Sequence, residues 1–204
     1  MKKTIALLIA MLLLLATLAA CGSSAADDSP PAAPPIDPPA YPAGLPVPLF
    51  LSQEEQELYR QARHAFESFE ITLGFGSDGT GQSVEVDGRT YIQANGEYTT
   101  WDEFYDAMLN LFTPAYLEVL LADGAYIEHE GNLYYLPIPR ALDPFYTGSD
   151  TFEEVSRTES RVEFNLIASY EDSARDPAVY TQSAPLVMEK TNDGWRFSLF
   201  ALPY

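Results

Sequence analysis

The side chains that could do chemistry here fall into a few groups. Gly74-Phe75-Gly76-Ser77-Asp78-Gly79 matches the G-x-G-x-x-G pattern of dinucleotide sites. Such a site needs the glycines to follow a strand and open a helix, so that free helix amides face the pyrophosphate. Periodicity here predicts a helix before the glycines and a strand after them, so the segment reads as a flexible loop. His64 and His129 are far apart in sequence, and neither stands in an H-x-x-x-H or H-E-x-x-H spacing. Both read as surface histidines, and zinc is not expected. Ser77-Asp78 lacks the ordered series of oxygen ligands that calcium takes. No G-x-S-x-G turn is present to expose a nucleophilic serine. The 30 acidic residues supply many carboxylate pairs of the kind glycoside hydrolysis uses, with none singled out. The expectation is no cofactor, no metal and no catalytic residue, in a protein that works by contact.

Cys21, the one cysteine, has a different chemistry in prospect. It follows Lys2 and Lys3, an apolar run from Ile5 to Leu18 and the small residues Ala19 and Ala20, which is the order of an export signal. Leu18-Ala19-Ala20-Cys21 looks like a lipobox, at which bacteria diacylate the thiol and cleave before it. The apolar run is shorter than the ~20 residues a spanning helix needs. At ~0.8 kcal/mol per buried CH₂, two or three chains on one cysteine hold a protein on a membrane, whereas one holds it marginally. The expected partner of Cys21 is therefore the outer face of the cell membrane, with residues 1–20 removed as signal peptide. With no second cysteine, no disulfide forms within the chain, and stability rests on the core.

Composition narrows the partners. The formal net charge is -19, and loss of Lys2 and Lys3 takes it to about -21, with 9 basic against 30 acidic residues. Such a field opposes phosphate backbones, so nucleic acid is excluded as a partner. Residues 21–48 form a second segment, rich in Pro, Ala, Ser and Asp, with nine of the 16 prolines between Pro30 and Pro48. Proline fixes φ and removes an amide donor, so this is a disordered, semi-rigid stalk reaching ~80 Å at ~3.1 Å per residue.

Residues 49–204 are expected to make one α+β domain, N-terminal helices packed on a curled antiparallel sheet. Ser52 and Glu55 form a capping box before Leu58, Ala62, Ala65, Phe66 and Phe69 at helical spacing. Thr100 opens a second helix and Thr113-Pro114 a third, which stops at Gly124. Asp87-Gly88, Glu130-Gly131-Asn132 and Asn192-Asp193-Gly194 read as hairpin turns. Val162, Phe164, Leu166, Ala168 and Tyr170 alternate along a half-buried strand of an antiparallel meander. Pro137 to Asp150 is left as one long polar-aromatic connection, the kind of segment that often carries function. The pairs Tyr134-Tyr135 and Phe145-Tyr146 are candidates for a sugar- or peptide-binding surface.

Trp101-Asp102-Glu103-Phe104, Leu111-Phe112-Thr113-Pro114, Tyr126, Gly131-Asn132-Leu133-Tyr134 and Asp193-Gly194-Trp195-Arg196-Phe197 occur in an order that resembles the IseA-type DL-endopeptidase inhibitor family, over roughly residues 83–204. The outline is also similar to nuclear-transport-factor-like and cystatin-like domains. The resemblance implies a non-enzymatic cell-envelope protein that blocks the cleft of cysteine-type peptidoglycan endopeptidases and restrains wall autolysis. A lipid anchor departs from a freely secreted inhibitor and would confine control to wall near the membrane. On this reading Arg140, Asp143, Phe145, Tyr146 and Asp150, all on the long connection, meet the hydrolase. The alternatives are a small-ligand or muropeptide-binding domain, using a pocket between the sheet and its helix, and a purely structural envelope lipoprotein.

Overall fold

The computed structural model describes residues 46–138 and 143–203. The expected signal peptide, Cys21, the stalk up to residue 45 and Arg140 lie outside the described residues. What is described is α+β, with three α-helices and two four-stranded antiparallel sheets, one of them strongly curled.

Helix α1 (Gln53–Glu67) starts where its capping box places it. The Ser52 amide donates to Glu55 Oε2 at 2.7 Å and the Glu55 amide to Ser52 Oγ at 3.3 Å, two otherwise orphaned donors satisfied reciprocally. The helix passes without a break into a single π-helical turn, Ser68–Thr72. After it, Leu73, Gly74, Phe75 and Gly76 all hold positive φ and reverse the chain.

The smaller sheet is made of β1 (Ser83–Val86), β2 (Arg89–Gln93), β3 (Tyr126–His129) and β4 (Asn132–Tyr135), in the order β1-β2-β4-β3. Its two hairpins turn at Asp87-Gly88 and Glu130-Gly131, with positive φ at both residues of each pair, as a two-residue type I′ turn requires. Between the hairpins run α2 (Trp101–Leu109) and α3 (Pro114–Leu121). Thr100 Oγ1 caps α2 by accepting from the Glu103 amide, and Pro114 occupies the first position of α3, where its missing N–H costs nothing.

The larger, curled sheet is a meander of β5 (Tyr146–Arg157), β6 (Arg161–Glu171), β7 (Val179–Thr191) and β8 (Gly194–Leu199). Burial alternates without exception along Arg161–Tyr170, so β6 sends Val162, Phe164, Leu166, Ala168 and Tyr170 into the core. Pro185 stands within β7 opposite Asn165, beyond the end of the β7–β8 ladder, where a lost N–H costs the sheet least.

Tyr59, Ala62 and Ala65 face inward from α1, and the two alanines let the helix approach closely. The Tyr59 ring lies 5.4 Å from Phe152, 5.8 Å from Phe200 and 6.3 Å from Phe164. The core side of α1 is thus filled by aromatic rings, and a groove of about 650 Å³ remains between α1 and the β8 end of the curled sheet, beside Glu57, Leu58, Gln61, Asp193 and Trp195. One continuous core runs on through Phe112 and Met108 to Phe104, Phe75 and Tyr126 against the smaller sheet. Tyr91, Tyr134 and Leu136 make a second, minor cluster on that sheet's other face. The curled antiparallel sheet is as expected, with a second, smaller sheet beside it. One expectation changes: the connection after Pro137 ends at Phe145, because β5 begins at Tyr146.

Candidate functional site

The site builds up from the first residues of β5. The backbone C=O of Phe145 accepts from the Glu171 amide, and Asp143 Oδ1 accepts from the Phe145 amide at 2.9 Å, so the end of the connection is fixed to the rim of the curled sheet. Register then lines up Tyr146, Tyr170 and Tyr180 across β5, β6 and β7. Their rings form one row: Tyr146 and Tyr170 are 5.9 Å apart, Tyr170 and Tyr180 stack at 5.1 Å, and the Arg175 guanidinium lies 3.8 Å from the centre of the Tyr180 ring. The adjacent row, Phe145, Glu171 and Val179, faces the other way. Phe145 and Val179 are therefore exposed large apolar side chains, 42% and 61% accessible, flanking the Glu171 carboxylate.

Behind this rim lies a buried polar network. Asp150, with its side chain 0% exposed, accepts from Arg63 Nη1 at 2.8 Å and from the Tyr146 hydroxyl at 2.8 Å. Arg63 also donates to Glu67 at 2.9 Å and to the Tyr59 hydroxyl at 3.3 Å. Burying a charge is tolerable only when it is paired and hydrogen-bonded, and both conditions are met. The network ties α1 to the start of β5 and fixes the Tyr146 ring. Burial pushes the Tyr146 hydroxyl above its ordinary pKa, as does its bond to Asp150. Burial likewise pushes Tyr170 up to about 12, so both rings are neutral platforms at neutral pH.

Of the residues expected to meet a partner, Asp143, Phe145 and Tyr146 are brought together at the rim, Phe145 pointing outward and Tyr146 half-buried. Asp150 is corrected. It belongs to a strand rather than a loop and is committed to Arg63 inside the fold, so it supports the rim from behind. Sequence reasoning missed Arg63, Glu171, Val179 and the Tyr170–Tyr180 pair. Arg63 and Asp150 are 87 positions apart, and no local pattern announces their meeting. Tyr170 was legible only as one position of an alternating strand.

The other candidates find structural roles. The glycine loop is corrected from flexible to pinned. Phe75 is buried, with ring neighbours Phe69, Tyr98, Phe104 and Tyr126 at 5.4 to 5.7 Å. Asp78 Oδ1 accepts from the Thr80 amide, the Thr80 hydroxyl and Asn95 Nδ2. A Cβ on Gly74 would come within 2.7 Å of the Tyr135 ring, which accounts for the glycine there without a nucleotide. His64 Nε2 pairs with Glu97 at 2.7 Å, and His129 packs edge-on against Tyr134. Tyr134 and Tyr135 are buried and offer no open aromatic surface. Among the described residues, no three His, Cys, Asp or Glu side chains converge to hold a metal ion, and no helix is long and apolar enough to cross a membrane. No protein-family model and no curated protein matches the chain.

Proposed function

We propose that the chain is an extracytoplasmic lipoprotein, anchored through Cys21, that inhibits peptidoglycan DL-endopeptidases by occluding their substrate cleft without chemistry of its own. The observation that carries the docking part of this reading is the rim of the curled sheet. There an exposed aromatic side chain, Phe145, stands beside Asp143 and Glu171 on a base fixed by the Arg63–Asp150–Tyr146 network. An apolar anchor flanked by carboxylates is what an open groove carrying cationic side chains receives: the ring supplies buried area and the charges set orientation. A rigid base lowers the ordering cost of binding. Titrating the full chain into a cysteine-type DL-endopeptidase digesting purified peptidoglycan should stop muropeptide release at a near-stoichiometric ratio. Unchanged release at tenfold molar excess would overturn the proposal.

A second reading, muropeptide binding, is favoured by one feature. A cleft of about 530 Å³ sets Arg89, Thr90 and Asp123 beside Leu73, Leu136 and Ile138, a cation and an anion next to an apolar wall, which suits an amphipathic ligand carrying both charges. Calorimetric binding of soluble muropeptides, lost on Arg89→Gln, would support this reading over inhibition.

A further inference from the structure

The outer edge of β5 has a use that the rim does not account for. The strand pairs with β6 on one side and is the edge of its sheet on the other. In an antiparallel ladder every second residue of an edge strand turns its N–H and C=O away from its neighbour, ready to template another strand. Register irregularities, one between Tyr146 and Asp150 and one between Glu154 and Ser156, bracket a regular window, Asp150–Glu154. Beside that window the entering segment Pro46–Phe50 forms a second wall, held to β5 by Arg157, which donates to the Phe50 C=O at 3.4 Å and to Glu55 Oε1 at 3.1 Å. Between the walls lies a groove of about 560 Å³ that includes Val47, Leu49, Phe50, Thr151 and Phe152. Leu49 at its lip is 87% exposed, a large apolar side chain held out in water.

We infer that this groove takes an extended, basic polypeptide segment of a partner, which adds to the curled sheet as a further strand along Asp150–Glu154. The edge supplies main-chain hydrogen bonds, and the groove takes one or two alternate apolar side chains against Leu49 and Phe152. Charge selects the occupant. The chain carries -19, and the window ends on Glu153 and Glu154, both exposed; Glu154 is paired with Arg157 at 3.1 Å, so Glu153 is the carboxylate that the edge offers an occupant. Pairing β5 with β5 of a second copy would bring these carboxylates together, so a second copy is disfavoured and a cationic strand favoured. The site is separate from the rim, and it stands whether or not the partner is a wall hydrolase.

The test uses the full chain and, as probe, a hexapeptide of alternating lysine and valine at millimolar concentration, read by amide hydrogen exchange. The expected result is at least tenfold slower exchange within Asp150–Glu154, little effect from the corresponding glutamate–valine peptide, and loss of protection in Leu49→Asp and in Glu153→Lys. Both substitutions fall on exposed side chains outside the core, so the variants should keep the parent melting temperature. A lysine–valine peptide with every amide N-methylated keeps its charge and cannot extend a ladder, and should give no protection. No slowing at β5, slowing confined to other strands, or equal protection by the N-methylated peptide would each overturn the inference.

Discussion

Replacing Arg63 by methionine should expose how far the rim depends on the buried ion pair. Methionine fills much of the space of the arginine stem and removes the charge. Asp150 then stays at 0% side-chain exposure, with the Tyr146 hydroxyl as the one remaining donor among the bonds described above. Breaking a buried pair from one side typically costs about 3–5 kcal/mol, because the uncompensated charge keeps its desolvation penalty. The loss from Glu67 is small by comparison, since its side chain is 29% exposed and can turn to water. The expected cost is therefore about 4 kcal/mol, or roughly 8–16 °C in Tm for a domain of this size. Urea unfolding of Arg63→Met, Asp150→Leu and the double variant measures it. The double variant should recover about 2 kcal/mol or more relative to the sum of the singles, since no charge is then left buried alone. A loss below about 1 kcal/mol in Arg63→Met, or strict additivity in the double variant, would refute the reasoning.

Other consequences are more local. Gly96→Ala would place a Cβ 2.1 Å from the Phe75 C=O and 2.6 Å from the Ser77 amide, so this loop must shift. The expected loss is about 2–4 kcal/mol by urea unfolding, against about 1–2 kcal/mol for Gly131→Ala, where space is open and the cost is the positive φ alone. Ser52→Ala removes the hydroxyl half of the capping box, leaving the residue-52 amide bonded to Glu55, and should cost about 1 kcal/mol in the same assay. Burial works to raise the Glu55 carboxyl, but the bonds from Ser52 and Arg157 outweigh it and hold its pKa below the ordinary value. Asn95 and Thr80 hold Asp78 down at about 2, from 3.8. A lowered carboxylate pKa in the folded state gives stability that is full above the unfolded value and lost as pH falls through the folded one. Asp78 should thus contribute to acid destabilisation between about pH 4 and pH 2, and Glu55 as the pH falls below its unfolded value. A pH series of Glu55→Gln and Asn95→Ala should show shallower loss than the parent in those ranges, and parallel curves would count against both assignments.

Much of the fold was legible because its signals are local. Ser52 and Glu55 are three residues apart, the hairpin turns carry Asp-Gly, Glu-Gly and Asn-Asp-Gly, and β6 alternates through ten residues. β5 escaped notice because it is an edge strand. Along Thr147–Arg157 only Asp150 and Phe152 are more than lightly covered, so the alternation that identifies a strand is nearly absent. The same exposure makes its outer edge a docking surface. The glycine run misled in the opposite sense. Gly74 and Gly76 allow a left-handed reversal that drives Phe75 into the core, and nothing within the motif distinguishes that from a loop free in solvent. Half of the proposed rim was found because Asp143, Phe145 and Tyr146 are close in sequence. Glu171 and Val179 join it through strand register, and Arg63 through a helix packed across the sheet, relations that appear only once the chain is folded.

The claim that this domain acts by contact through its rim is tested most directly by calorimetric titration of a cysteine-type DL-endopeptidase with the parent chain and with Phe145→Ala. Truncating an aromatic anchor should cost about 1.4 kcal/mol or more, which is tenfold in Kd, with Tm unchanged because Phe145 lies outside the buried core. Binding that is absent in the parent, or equal in the two proteins, would contradict the claim.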